Sequence, residues 1–127
     1  MHLESSVVLD DKVANVFKKI TDIKNVNWRS DLNVIKGIDD NNFIEYSKKG
    51  YPTFYTVLKS TRNKSYELEF TNNKVEGYIK YFLKKEEDKT NIIVTLDITF
   101  VNAKFKMIAK HKLKKEWNKF ISDLSKK

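Results

Sequence analysis

The sequence predicts an α+β domain in which one antiparallel sheet of about seven strands curls around a long C-terminal helix. Three observations carry this. Residues 42–100 read as almost continuous strand broken by polar turns, the residues from about 103 onward switch to helical periodicity, and a short amphipathic helix follows the first strand. At 127 residues, 40% hydrophobic and 33% charged, the chain suits a single domain spanning 1–127 with one core.

Taken in order, "HLESSVVL" places Leu3, Val7 and Leu9 on one side of a first strand. Asp10 then stands where a helix cap belongs. "DKVANVFKKI" follows, with Val13, Val16, Phe17 and Ile20 on one helical stripe. Asp22 offers a second cap, so a second short helix is expected through Ile23 and Val26 before Trp28. "SDLNVIKGI" begins the second strand. Five further strands follow in "NNFIEYSKKG", "TFYTVLKST", "KSYELEF", "KVEGYIKYFLKK" and "TNIIVTLDITF", joined by polar turns in a meander. The last alternates cleanly, with Ile92, Val94, Leu96, Ile98 and Phe100 on one side, as in a sheet with one wet face. Finally Phe105, Ala109, Leu113, Trp117, Phe120 and Leu124 recur at threes and fours.

The expected order is therefore strand, two short helices, six strands, long helix. An apolar sheet face must be covered, and only the last helix, about 30 Å long at 1.5 Å per residue, can do so. Trp28, at the exit of the short helices, is expected to plug the junction between them, the sheet and that helix.

Composition excludes several classes. The chain has no cysteine, so disulfides, thiolate metal sites and cysteine nucleophiles are out. Two distant histidines make no metal cluster. No basic and apolar leader and no membrane-length apolar run appear, so a cytoplasmic location without integral membrane association is expected. With three glycines there is no phosphate-cradling loop, and no cofactor is expected.

The net charge of +8 is concentrated: nine lysines against two carboxylates lie between Lys104 and Lys127. Such a stripe can meet nucleic acid, an anionic membrane surface or an acidic partner, or it can simply be a solvated helix face. Only Arg29 and Arg62 could make bidentate phosphate contacts, and no nucleic-acid partner is expected.

The order of elements resembles the helix-grip fold of the START/polyketide-cyclase superfamily, often called SRPBCC. The resemblance spans the whole chain. It rests on Val16-Phe17, Asp22 and Trp28, matching an aromatic in the first helix followed by an aspartate and a tryptophan. It rests also on "DKTNIIVT", the family's turn before a strand, in which Lys89 stands where a glycine is usual and Thr90 is kept. The resemblance implies a hollow between sheet and helix that holds an apolar or aromatic small molecule, in a family that binds lipids, sterols, plant hormones and polyketides. A pocket of that kind is on the order of 300–1,000 Å³ and mostly apolar.

Strand phase then names the residues that could line it. Trp28, Tyr66, Phe70, Ile79, Tyr81 and Leu96 are inward by alternation or position, and Phe105 and Ile108 would form a wall from the helix. Tyr55 is a further candidate whose phase, like those of Tyr46 and Glu45, is left open by impure alternation on the middle strands. Lys36 sharing a phase with Val34 and Ile38 calls for a bulge, expected near Gly37. Ordinary core filling is the competing role for each of these residues.

The expected function is binding or transport of a hydrophobic small molecule by a monomer or weak homodimer. One alternative is a cyclase or dehydratase using Tyr66 or Tyr81, with Glu45 if it faces inward, for proton transfer. The other is an interaction module docking through the basic helix face.

Overall fold

Two twelve-residue strands, Val75–Glu86 (β6) and Lys89–Phe100 (β7), form the longest hairpin of the chain in the computed structural model. Residues 1–102, 104 and 106–126 are described, apart from the side chain of residue 108. Before the hairpin come β1 (His2–Leu9), α1 (Val13–Thr21), β2 (Leu32–Gly37), β3 (Asn42–Ser47), β4 (Pro52–Thr61) and β5 (Ser65–Thr71); α2 (Lys106–Ser125) follows it. The strands make one curled seven-stranded sheet in the order β1-β7-β6-β5-β4-β3-β2, antiparallel at every step. The class, the strand count, the meander and the closing helix are those the sequence predicts.

Alternation sets the inner face. On β7, Ile92, Val94, Leu96 and Ile98 are buried, and on β6 Val75, Ile79, Tyr81 and Leu83 join them. Gly77 shares that inward phase, and a Cβ there would collide with the Phe70 ring and the Asp97 carbonyl, so the absent side chain is what lets the neighbouring strand's ring lie close. α2 lies along β1, with Trp117 and Leu124 buried, while Phe120 and Ile121 pack from the side. Trp117 Nε1 donates to Ser5 Oγ on β1 at 2.9 Å, giving the buried indole its partner.

The impure strands carry the irregularities that alternation demanded, though not where expected. On β2 the register shifts between Leu32 and Val34, at Asn33 and not near Gly37, so Leu32 and Ile35 point inward and Val34 and Ile38 outward with Lys36. On β4 a second shift between Val57 and Lys59 flips the phase, reconciling inward Tyr55 and Val57 with outward Lys59.

Two local expectations fail. The second short helix is absent: residues 22–31 form turns instead, with Lys24 N–H donating to Asp22 Oδ1 at 3.0 Å and Arg29 N–H to the Val26 carbonyl at 2.9 Å. The aspartate offers the backbone a local alternative to a helix, and Ile23, Asn25, Val26 and Asn27 are weak helix formers. Nor does Asp10 cap α1. The cap is Lys12, with no side-chain hydrogen bond to the helix, and the Asp11 carboxylate instead accepts from Lys12 N–H and Asn15 Nδ2.

The 22–31 segment is nevertheless held firmly. Ser30 donates through its N–H (2.9 Å) and hydroxyl (2.7 Å) to the buried Asp123 carboxylate of α2. Lys19 donates to the Leu124 and Lys126 carbonyls at 3.2 and 2.9 Å, satisfying the end of that helix. Trp28 sits in this seam, its ring 5.9 Å from Phe120 and 5.2 Å from Lys19 Nζ, in the junction position expected for it.

Candidate functional site

The inner face of β4 to β7 brings together six of the nine residues that strand phase and position had marked, and Trp28 joins them from the 22–31 turns. Register makes them cross-strand neighbours: Tyr55 faces Phe70, Tyr66 faces Tyr81, and Ile79 faces Leu96. Two runs of rings result. Phe43, Tyr55 and Phe70 form one, stacked and tilted at 5.0 and 5.6 Å between centroids. Phe17, Tyr66, Tyr81 and Phe120 form the other at 6.5, 6.1 and 6.3 Å, with Trp28 and Trp117 both 5.9 Å from Phe120. Phe105 and the Ile108 side chain lie outside the described residues.

Tyr66, Ile79, Tyr81 and Leu96 are buried and fill core space. Tyr55 and Phe70, also inward, are half-buried, and α2 packs mainly along β1. Part of the Tyr55 and Phe70 rings stays accessible, Phe70 lining in part a hollow on the sheet.

Between the two ring runs lies a feature that composition concealed. Arg29, with only 11% of its side chain exposed, reaches the Glu45 carboxylate at 3.3 Å, and Glu45 is itself only 10% exposed. Asp31 accepts two further bonds from the same guanidinium, at 2.9 and 2.8 Å. The Arg29 guanidinium carbon lies 4.9 Å from the Phe120 ring and 5.5 Å from that of Trp28. Glu45 is thus inward, beside Phe43, whereas Tyr46 takes the opposite phase.

The local charge balance follows from burial and pairing. Burial works against the charge of Arg29, but Glu45 and Asp31 outweigh it and hold the guanidinium protonated. Burial pushes the Glu45 carboxyl above its usual range despite the pull of Arg29. Tyr55 is raised well above the ordinary tyrosine value by burial and the nearby Glu45, Tyr66 is pushed up to about 12 by the same causes, and Tyr81 is raised chiefly by burial. All three hydroxyls are therefore neutral at physiological pH, fit to give and accept hydrogen bonds and unsuited to act as bases.

Donors remain unused. The carboxylates engage three of the five guanidinium N–H groups. Trp28 Nε1 is the one buried side-chain polar atom without a partner among the described residues. An unpaired buried donor costs roughly 1–3 kcal/mol, so an acceptor offered by a guest is favoured there.

Around this centre the shape is open, not enclosed. Where the C-terminal half of α2 meets the sheet, the space is filled by Trp28, Tyr81, Trp117 and Phe120. A hollow of about 770 Å³ is lined mainly by outward residues of the sheet, among them Phe54, Thr56, Glu69, Tyr78 and Asp97, with inward Phe70, Gly77 and Ile98 also on it. Another, about 370 Å³, lies between the 22–31 turns and β2. Neither lies between sheet and α2. Among the described residues no group of His, Asp or Glu could hold a metal ion, and no helix is long and apolar enough to cross a membrane.

Arg29 and Glu45 are the site residues that strand phase did not find. Glu45 alternates with Phe43, which was the available signal; Arg29 lies in a turn, where no periodicity applies.

No protein-family model and no curated protein matches the sequence. Solved structures do match the fold. A START superfamily protein from Mycobacterium smegmatis superposes with a TM-score of 0.78 at 10% identity, over 98% of this chain and 94% of that one. A conserved protein from Geobacillus kaustophilus gives 0.81 at 13% identity, over 98% and 93%. The di-domain ARO/CYC protein BexL of the BE-7585A biosynthetic pathway gives 0.82 at 6% identity, over 98% of this chain and 45% of its own. The fold is the START-like helix-grip fold, shared with polyketide cyclase-like proteins.

Proposed function

We propose that the chain binds an apolar or aromatic small molecule that carries a hydrogen-bond acceptor, laid against the aromatic inner face of β3 to β5. The observation that carries this reading is the unused pair of donors, on Arg29 and Trp28, next to half-buried inward rings. A purely structural interior would cover those rings and pair that indole. The fold supports it as well, since it is shared with a START superfamily protein and an ARO/CYC protein. Trp28, Tyr55 and Phe70 are the contacts proposed here, with Tyr66, Ile79, Tyr81 and Leu96 as the floor and Phe105 and Ile108 as the expected wall.

The test is native mass spectrometry of the purified protein with extraction of bound compounds, followed by titration with a fluorescent apolar probe bearing a carbonyl. Stoichiometric binding is expected, and Trp28→Phe is expected to weaken it about two- to tenfold by removing one hydrogen bond. An empty protein that also ignores the probe, or a Trp28→Phe variant that binds as tightly as the parent, would overturn the reading.

One observation favours a second reading, a cyclase or dehydratase. The Glu45 carboxyl, pushed up by burial and close to Tyr55, is the group suited to proton transfer on a polyketide-like substrate. It predicts turnover of such a substrate that Glu45→Gln abolishes, where simple binding predicts retention without change.

A further inference from the structure

The two ends of the sheet differ in charge. Register places the turns at 48–51 and 72–74, the chain entering β2 at Asp31 and the chain leaving β7 at 101 and 102 together at one end, with 104 and 106 following, and the connections at 10–12, 38–41, 62–64 and 86–89 at the other. The latter four hold seven carboxylates against four cations. The former hold Lys48, Lys49, Lys74, Lys104 and Lys106, and their one carboxylate, Asp31, is already bonded by Arg29.

The same lysine-bearing end also holds apolar side chains out in water. Tyr51 is 65% exposed, Val101 59% and Met107, in the first turn of α2, 85%. These are not scattered. Lys74 Nζ lies 5.9 Å from the Tyr51 ring centroid, joining two turns, and Val101 N–H donates to the Lys74 carbonyl at 2.9 Å, joining the chain leaving β7 to them. Gly50, at φ +86°, makes the tight turn that leaves Tyr51 projecting.

Each part of this arrangement has a counterpart in one kind of partner. Lysines whose one neighbouring carboxylate, Asp31, is already paired with Arg29 suit a field of lipid phosphates, and an aromatic, a methionine and a valine at the same end suit the boundary between headgroups and acyl chains. Nucleic acid is a poorer match, because the arginine nearest this end, Arg29, is buried and already bonded to Asp31 and Glu45. We infer that this end of the molecule docks peripherally on an anionic lipid bilayer, with Tyr51, Val101 and Met107 entering the interface and the five lysines on its phosphates. The inference does not rest on a ligand in the interior.

The test is co-sedimentation of the full chain with vesicles of equimolar phosphatidylcholine and phosphatidylglycerol, and with vesicles of phosphatidylcholine alone. Binding to the anionic vesicles only, weakened by added salt, is expected. Lys48→Glu with Lys49→Glu and Lys74→Glu should lower partitioning by about a hundredfold or more, at roughly fivefold per lysine removed. Tyr51→Ser with Met107→Ser should lower it by about tenfold and leave the salt dependence unchanged. All five positions are exposed, and circular dichroism checks that the variants fold. No binding to anionic vesicles, variants that bind like the parent, or tighter binding to a single-stranded oligonucleotide than to vesicles would each overturn the inference.

Discussion

The inner and outer faces of the sheet each carry an ion pair that joins distant parts of the chain, and the two pairs have opposite consequences. Inside, Arg29 and Glu45 meet at 3.3 Å among aromatic rings, both almost wholly removed from water. Outside, His2 Nδ1 meets Asp97 at 2.5 Å, with both side chains more than half exposed. The outer contact is the shorter, yet water and salt screen it and little of the fold depends on it. Depth, not distance, decides which pair matters. A third carboxylate, Asp123 in the seam, falls between them, buried but held by the neutral donors of Ser30.

The largest effect should come from the inner pair. Arg29→Ala leaves Glu45 buried without its cation and is expected to cost about 3–5 kcal/mol, read as a lower denaturant midpoint. The sign with pH is definite. Burial already raises the Glu45 carboxyl, and losing Arg29 raises it further. A raised carboxyl contributes stability that is full below its unfolded value and lost as pH rises through the folded one, so the variant should be least damaged in mild acid. Adding Glu45→Gln should restore part of the loss at neutral pH. A single variant within about 1 kcal/mol of the parent would mean the pair is worth no more than a surface one, and the contrast between the faces would fail.

How much of this the sequence made legible depends on periodicity. β5, β6 and β7 alternate without interruption, so Tyr66, Phe70, Ile79, Tyr81 and Leu96 could be placed inward from the residues alone. β2 and β4 each contain a bulge, at Asn33 and Leu58, and one extra residue reverses every later side chain, so the phases of Tyr55 and its neighbours stayed open. The 22–31 segment has neither period. Its Ile23 and Val26 spacing resembles a helix, but an aspartate turn wins locally, and nothing in that stretch announces that Arg29 folds inward onto a strand residue sixteen positions away. Tertiary pairing of a turn residue with a strand residue leaves no one-dimensional trace.

Asp123→Asn should have the intermediate effect and sharpens the comparison by removing a charge held chiefly by the hydrogen bonds of Ser30, with Lys19, Lys119 and Lys126 acting on it from nearby. Burial alone would raise the Asp123 carboxyl, but the two hydrogen bonds from Ser30 outweigh it and hold it below the usual carboxylate range. A depressed carboxyl stabilises above its unfolded pKa, near 4, and loses that contribution as pH falls through the folded value. The variant is therefore expected to be about 1–2 kcal/mol less stable at neutral pH, since an amide still accepts from Ser30 but without charge. In acid the two stability curves should converge. Curves that stay parallel down to the acid limit would show that the carboxylate's charge contributes nothing to the seam.

The smallest effect belongs to His2, and its sign is opposite to that of Asp123. The Asp97 carboxylate, through its hydrogen bond and its charge, raises the His2 imidazole above the ordinary histidine value of 6.5. A raised base contributes stability that is full below its unfolded pKa and is lost as pH rises through the folded one. Thermal midpoints of the parent and His2→Gln should therefore coincide in mild alkali and separate only slightly below about pH 6. An NMR titration of the imidazole supplies the sensitivity that unfolding lacks here: the raised value should fall back toward 6.5 in Asp97→Asn. The end of β1 is pinned mainly by other means, since the Met1 amino group donates to the Ile98 carbonyl at 2.8 Å and the β1–β7 ladder starts at His2. A midpoint shift for His2→Gln as large as that of Asp123→Asn would mean an exposed pair can match a buried one, and the ordering by depth would be wrong.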